Sequence, residues 1–175
     1  MKKTVNQIEV QYFESKIGEL ITGTFKNSLC LLDFKNRKMR LSVDNRLKTK
    51  LSAKYVIRNN KILTLAKTQI GEYLSGLRKE FSIPIITVGS NFQKQVWYSI
   101  MKLKYGEIAS YLDIAISIGN QKAVRAVANA NGANSLALII PCHRILGNDG
   151  ALVGYGGGVP IKKKLLNLEK VNTSI

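Results

Sequence analysis

The chain holds two cysteines and one histidine. One cysteine adjoins that histidine in the run Leu138-Ile139-Ile140-Pro141-Cys142-His143-Arg144-Ile145. A thiol reacts as its thiolate, and an unperturbed cysteine with a pKa near ~8.5 is mostly protonated at neutral pH. Cys142 therefore needs a base or a positive setting. His143 could take its proton directly or through a water, and a carboxylate could orient the imidazole, as in other nucleophile–base–orienter sets. Neighbouring residues on a strand point to opposite faces, so direct Cys–His contact demands a bend there, which a bridging water would relax. The plain alternative is a buried cysteine beside an incidental histidine.

The candidate carboxylate is Glu169. It falls on the same side as Leu165 in a helix that starts at Pro160, a suitable first helical position, with Ile161, Leu165 and Leu168 inward. A carboxylate buried on an apolar face is costly unless paired. His143 or one of the many Lys and Arg residues would pair it. Between Cys142 and that helix lies the glycine-rich loop Leu152-Val153-Gly154-Tyr155-Gly156-Gly157-Gly158. It lacks the GxxxxGK[ST] spacing of a phosphate loop. It reads better as a place where backbone approaches a flat ligand, with Tyr155 as one wall.

The elements that must position these residues follow from periodicity and caps. The apolar run ending at Ile140 reads as a strand leading into Cys142. Ser90 with Gln93 forms a capping box for a helix that buries Phe92, Val96, Trp97 and Ile100 and breaks at Tyr105-Gly106. Glu107 to Ile118 reads as a second helix, with Ile108, Leu112, Ala115 and Ile116 inward, stopped at Gly119-Asn120. Gln121 to Ala130 restarts a helix with Val124, Val127 and Ala128 inward. Helix, glycine turn, helix is the helix-turn-helix pattern. Ala123, Ala126 and Ala130 share one outer arc with Arg125 at its edge. A major-groove reading helix shows long polar side chains. An alanine face suits a backbone or a narrow groove into which Arg125 inserts, or simply packing on another element. The pattern alone leaves both open.

Ahead of Gly89-Ser90 the chain reads as a small α/β domain, residues 1–88, supporting a second domain, 89–175. Ile8 to Phe34 is a strand meander in which Cys30 is a small buried hydrophobe. Lys35 to Asn60 is basic and partly helical. Residues 62–74 have helical spacing, and Phe81 to Val88 reads as a final extended segment.

Twenty-seven Lys and Arg against eleven Asp and Glu give the 175-residue chain a net charge of +16. Such a field attracts a polyanion, nucleic acid first; a Lys- and Ile-rich genome would give the same bias. Two distant cysteines make no disulfide framework, and no CxxC spacing marks a metal. No uncharged run approaches the ~18 residues of a membrane span. The amino-terminal residues form no signal-peptide core. These readings place the protein in a reducing compartment, the cytoplasm or a eukaryotic nucleus; a monomer without cofactor or metal is expected.

The ordered motifs Phe92-Gln93-x-x-Val96-Trp97, Tyr105-Gly106-Glu107, Ser110-Tyr111, Ile118-Gly119-Asn120, Arg125-Ala126-Val127, Asn134, Pro141-Cys142-His143-Arg144, Gly154-Tyr155-Gly156-Gly157 and Leu165-Leu166-x-Leu168-Glu169 resemble the methylated-DNA–protein-cysteine methyltransferases, also called O6-alkylguanine-DNA alkyltransferases. The resemblance runs from Ser90 to Glu169; the first half resembles the family's ribonuclease-H-like domain loosely. It implies an α/β fold with a mostly helical second domain that carries the helix-turn-helix. It also implies double-stranded DNA bearing O6-alkylguanine as partner, with O4-alkylthymine a lesser substrate, and one irreversible alkyl transfer to Cys142. His143 would act through a water, Glu169 would stand behind it, and Asn134 would hold the turn. Tyr111 would donate a proton to the leaving guanine and help turn out the nucleotide, and Arg125 would fill the vacated stack. Ser110, Gln121, Lys122, Ala123 and Ala126 would meet DNA in the minor groove, while Tyr155, Gly156, Gly157 and Ile145 would line the base pocket.

Ser135, Ala137, Lys104 and Gln121 stand where the family commonly has proline. Some members bind zinc in the first domain; with Cys30 alone and no second histidine that site is expected to be absent. Two other readings compete. A DNA-binding regulator with a sensor cysteine would bind undamaged DNA sequence-selectively, against which the alanine face argues. A papain-like thiol hydrolase would leave the charge and the helix-turn-helix unexplained.

Overall fold

The computed structural model describes residues 5–169. The chain falls into two compact units, Met1–Gly89 and Ser90–Ile175. In the first, β1 (Asn6–Ser15), β2 (Gly18–Phe25) and β3 (Ser28–Phe34) form the expected antiparallel meander. The tight β2–β3 turn is made by Lys26 and Asn27, both at positive φ (48° and 62°), the handedness that matches strand twist. After α1 (Arg40–Leu51), β4 (Ala53–Ile57) returns parallel to β1, giving the order β3-β2-β1-β4, and α2 (Lys61–Leu74) follows. The β4 strand was invisible in the basic stretch, since five residues with charged flanks show no period of their own. Ile8, Val10, Ile21, Leu31, Val43 and Leu47 close over Cys30 in this core.

Phe81 to Val88 is not a strand of this sheet. It touches β3 at one bridge, Leu29 to Ile85, where Leu29 N–H donates to the Pro84 carbonyl (2.8 Å) and Ile86 N–H to the Leu29 carbonyl (2.9 Å). Pro84 has no N–H with which to extend the ladder.

The second unit contains α3 (Asn91–Met101), β5 (Ala109–Ser110), α4 (Tyr111–Ser117), α5 (Val124–Gly132), β6 (Ile145–Leu146) and α6 (Val159–Leu168). The Ser90–Gln93 capping box opens α3, and Val96, Trp97 and Ile100 are its buried face. Trp97 Nε1 donates to the Ala130 carbonyl (2.8 Å), which locks α3 to α5. The helix expected from Glu107 begins only at Tyr111. Ser110 and Asp113 form their own capping box, with Ser110 N–H donating to Asp113 (2.7 Å) and Asp113 N–H to the Ser110 hydroxyl (3.0 Å). That shift rotates the buried face to Ile114 and Ala115 and leaves Ile108 and Ile116 exposed, against the expected pattern.

Gly119, at φ +74°, turns the corner between α4 and α5, and Asn120 N–H caps the Ala115 carbonyl at 2.9 Å. Gln121–Ala123 form a 3-10 turn at the head of α5. Of its expected outer alanines, Ala126 is exposed and Ala123 partly so, but Ala130 is buried under Trp97. Val127 lies inward as expected, while Val124 and Ala128 are only half-buried.

Candidate active site

The apolar run before Cys142 is not a strand. Residues 137–139 form a turn, with Leu138 at φ +70°. Asn134 organises it: its Oδ1 accepts from Leu136 N–H (2.8 Å), and its Nδ2 donates to the Ile140 carbonyl (2.9 Å) and to Cys142 Sγ (3.3 Å). An unbroken apolar run cannot distinguish a strand from a turn buried on all sides. The chain then enters a 3-10 turn, Cys142–Arg144, with Arg144 N–H donating to the Pro141 carbonyl (2.9 Å). This is the bend that the adjacent cysteine and histidine required.

His143 and Arg144 both turn towards Glu169. His143 Nε2 lies 2.9 Å from Glu169 Oε1; Arg144 donates Nη2 to Oε1 and Nε to Oε2, each at 2.9 Å. Glu169 Oε2 also accepts from Gly106 N–H at 3.1 Å, and Arg144 Nη1 donates to the Leu103 carbonyl at 2.6 Å. Gly106 sits at φ +80° and a Cβ there would stand 3.3 Å from the Glu169 carbonyl oxygen, so the approach suits glycine alone. The carboxylate thus fastens the α3–β5 connection, the cysteine turn and the end of α6 together.

Burial lowers the pKa of His143, more strongly than the Glu169 carboxylate raises it. The imidazole is therefore neutral at neutral pH. With Nε2–H donated to Glu169, its lone pair lies on Nδ1, the tautomer a base needs.

A residue that the sequence reading above does not single out is Lys162, whose side chain is wholly buried. Its Nζ donates to the carbonyls of Ile145 (2.5 Å) and Val153 (2.8 Å). It thereby ties the glycine loop to the segment after the cysteine turn. Burial lowers its pKa to about 8, and the negative charge of Cys142 acts in the opposite sense. Its place three residues before the inward Leu165 was the available signal. Arg144 pairs with Glu169, and Lys162 lies within electrostatic reach of Cys142.

The parallel β5–β6 pair, Ala109 with Ile145 and Ser110 with Leu146, sets the start of α4 beside the chain leaving the cysteine turn. This brings Tyr111 close enough for the Cys142 charge to raise its pKa, with burial as the larger cause. The Tyr155 ring stands edge-on to His143, with centroids 6.3 Å apart. Gly156 and Gly157 lie half-buried beside it, and Ile145 is fully buried. Gln121, Lys122 and Arg125 are exposed at the head of α5. Ser110, expected at the DNA surface, is half-buried, and its hydroxyl hydrogen-bonds the Asp113 carboxylate at 2.7 Å.

Among the described residues no group of three or more His, Cys, Asp or Glu is placed to hold a metal ion, and no helix is long and apolar enough to cross a membrane.

Fold and site define a chain of two compact units, the second of which holds a buried thiol, a histidine–carboxylate pair and a helix-turn-helix. The family described as 6-O-methylguanine DNA methyltransferase, DNA binding domain, matches residues 91–171. A methylated-DNA–protein-cysteine methyltransferase of Methanosarcina barkeri is 40% identical over 159 residues, 91% of this chain and 95% of that protein. The constitutive enzyme of that name from Bacillus subtilis is 47% identical over 111 residues, 63% of this chain and 67% of its own length. The crystal structure of Mycobacterium tuberculosis OGT in complex with DNA has a TM-score of 0.79 and 34% identity, covering 93% of this chain and 92% of that one. The chain belongs to the methylated-DNA–protein-cysteine methyltransferase family.

Proposed function

We propose that this protein repairs DNA by a single irreversible transfer of an alkyl group from O6 of guanine, and less readily from O4 of thymine, to Sγ of Cys142. The carrying observation is the Asn134 amide on that sulfur, in a buried turn whose next residue, His143, is bound to Glu169. His143 accepts the thiol proton through a water. The thiolate attacks the alkyl carbon, the S–C bond forms as the C–O6 bond breaks, and the guanine leaves as its neutral form with a proton from Tyr111. The Tyr111 phenolate regains a proton from solvent or from His143. The product thioether does not revert, so Cys142 is a reactant and is used once.

A thiolate cannot reach an alkyl carbon inside stacked bases, so the nucleotide turns out of the duplex, at lower cost when alkylation has weakened its pairing. Gln121, Lys122, Ala123 and Ala126 at the head of α5 lie along the minor groove, and Arg125 enters the vacated stack. Tyr155, Gly156, Gly157 and Ile145 line the pocket for the extruded base. The +16 charge supplies sequence-independent, salt-sensitive affinity. Residues 1–88 support this device, and the protein works as a monomer in a compartment that keeps thiols reduced, the cytoplasm or a eukaryotic nucleus.

The test is incubation with duplex DNA carrying O6-methylguanine, followed by peptide mass spectrometry. One added methylene is expected on the peptide containing Cys142, and none in Cys142→Ala. An unmodified wild-type protein, or turnover beyond one equivalent, would sink the reading.

A further inference from the structure

Arg144 takes no step in the reaction proposed above, yet its guanidinium is buried against the carboxylate that holds His143. One edge of the guanidinium meets Glu169 as a fork, Nε on Oε2 and Nη2 on Oε1, each at 2.9 Å. Nη1 donates to the Leu103 carbonyl at 2.6 Å, which anchors the fork from its other side. Oε1 is therefore shared. It accepts from Arg144 Nη2 and meets His143 Nε2 at the same 2.9 Å. The side chains of His143 and Glu169 are wholly enclosed, and that of Arg144 is 7% exposed.

Charge decides what the sharing does. A buried carboxylate with only an imidazole beside it favours a proton on the ring, because an ion pair then replaces an unpaired charge. An imidazolium has no lone pair and cannot serve Cys142 as a base. In this turn Arg144 already supplies the positive charge that Glu169 requires, so a second ring proton would leave the buried trio with a net positive charge. The groups facing His143 from the neighbouring elements add no further carboxylate: Lys162 comes from α6, Tyr155 from the glycine loop, and Cys142 precedes it on the turn. Tyr105, on the α3–β5 connection, gives its hydroxyl to the Leu168 carbonyl at 3.0 Å. The pKa of His143 follows the same balance: burial lowers it, Glu169 raises it, and Arg144 and Lys162 lower it.

We propose that Arg144 is a positioning residue for the reaction: by occupying both oxygens of Glu169 it satisfies the carboxylate's charge, so that Glu169 orients His143 through a hydrogen bond without drawing a proton onto it. This rests on His143 being the base for Cys142, as proposed above.

The experiment uses the full chain and follows its one histidine. Ring 15N NMR of His143 is recorded across about pH 5.5 to 8.5, beside the single-turnover rate on O6-methylguanine DNA over the same range. Arg144→Met removes the charge and keeps the apolar stem. Its histidine titration is expected to move up by about one pH unit or more. Transfer at neutral pH is expected to slow about tenfold and to recover as pH rises. Arg144→Lys keeps the charge but not the two-pronged fork, and should move the titration the same way by a smaller step. A side chain that only braces the fold would slow transfer equally at every pH and leave the histidine titration at its wild-type place; either result overturns the proposal. If Arg144→Met does not fold, Arg144→Lys decides by the same two readings, and an unmoved titration there overturns it. If the wild-type protein transfers nothing to Cys142, the reading of the reaction fails, and the titration still decides whether Arg144 keeps the ring neutral.

Discussion

The chain contains the same side chain in two settings, and they make opposite reagents of it. Cys30 lies fully buried in β3 among Val10, Ile21 and Leu31, its thiol donating to the Gly23 carbonyl at 3.5 Å. Burial pushes its pKa up to about 12. Cys142 is also buried, at 7% exposure, but on a turn, where an amide nitrogen meets its sulfur and a buried ammonium lies close. Burial by itself disfavours a thiolate, whereas burial together with fixed donors and a positive charge favours one. The largest expected effect follows. Cys142→Ala abolishes alkyl transfer, whereas Cys30→Ala keeps transfer near the wild-type rate and loses stability as a small cavity would; DNA alkyl transfer and urea denaturation measure the two.

The same contrast explains what could be read from sequence. The meander around Cys30, the capping box of α3 and the buried face of Val96, Trp97 and Ile100 are local patterns, and periodicity finds them. At the reactive site, the Pro-Cys-His-Arg run and Glu169 were legible as chemistry because carboxylates and histidines on apolar stretches demand partners. The joint pairing of Glu169 with His143 and Arg144 was not, since any cation would have satisfied the rule. The turn at residues 137–139 was misread for a related reason. Its shape comes from Asn134 binding Leu136, Ile140 and Cys142, a pattern of side-chain bonds that leaves no hydrophobic period. Lys162 was hidden because a lysine announces solvent, and only the two carbonyls at its Nζ show otherwise.

Two buried carboxylates extend the comparison. Asp33 in the first unit takes Arg37 at 2.9 Å and Arg40 at 2.8 Å, and Glu169 in the second takes Arg144 and His143. Both are structural, but only Glu169 holds a titratable base. Glu169→Gln is expected to slow alkyl transfer about 10²-fold, since His143 loses the partner that fixes its tautomer. Asp33→Asn is expected to leave the transfer rate per folded molecule unchanged while costing about 3 kcal/mol of stability, because Arg37 loses the Asp33 carboxylate and Arg40 keeps only Asp44. Single-turnover kinetics beside urea titrations separate the two outcomes, and a Glu169→Gln protein with wild-type kinetics would break the comparison.

A smaller effect is expected at Lys162. Lys162→Met keeps most of the apolar stem but removes the charge and both carbonyl bonds. Transfer should slow about tenfold, an effect on the order of 1.4 kcal/mol. Reaction of Cys142 with iodoacetamide at neutral pH should slow alongside it, as fewer sulfurs are thiolate. If iodoacetamide reactivity is unchanged while transfer falls, Lys162 serves only to hold the glycine loop at Val153.

The last difference is one of pH. His143 is held neutral by burial, its pKa lowered from 6.5, so between 6.5 and its folded value the unfolded chain binds a proton that the folded chain refuses. Stability is then complete above about pH 6.5 and declines as pH falls, by at most about 1.4 kcal/mol per pH unit for this one group. The thiol of Cys30 contributes nothing in that range, since both its folded and unfolded forms stay protonated there. Urea midpoints of wild type and His143→Gln between pH 7.5 and 5.5 measure the difference. The wild-type slope should exceed that of the variant, because glutamine carries no proton to gain. Equal slopes would mean that His143 takes up its proton in the folded state as readily as in the unfolded one, and that Glu169 then holds an imidazolium that cannot serve Cys142 as a base.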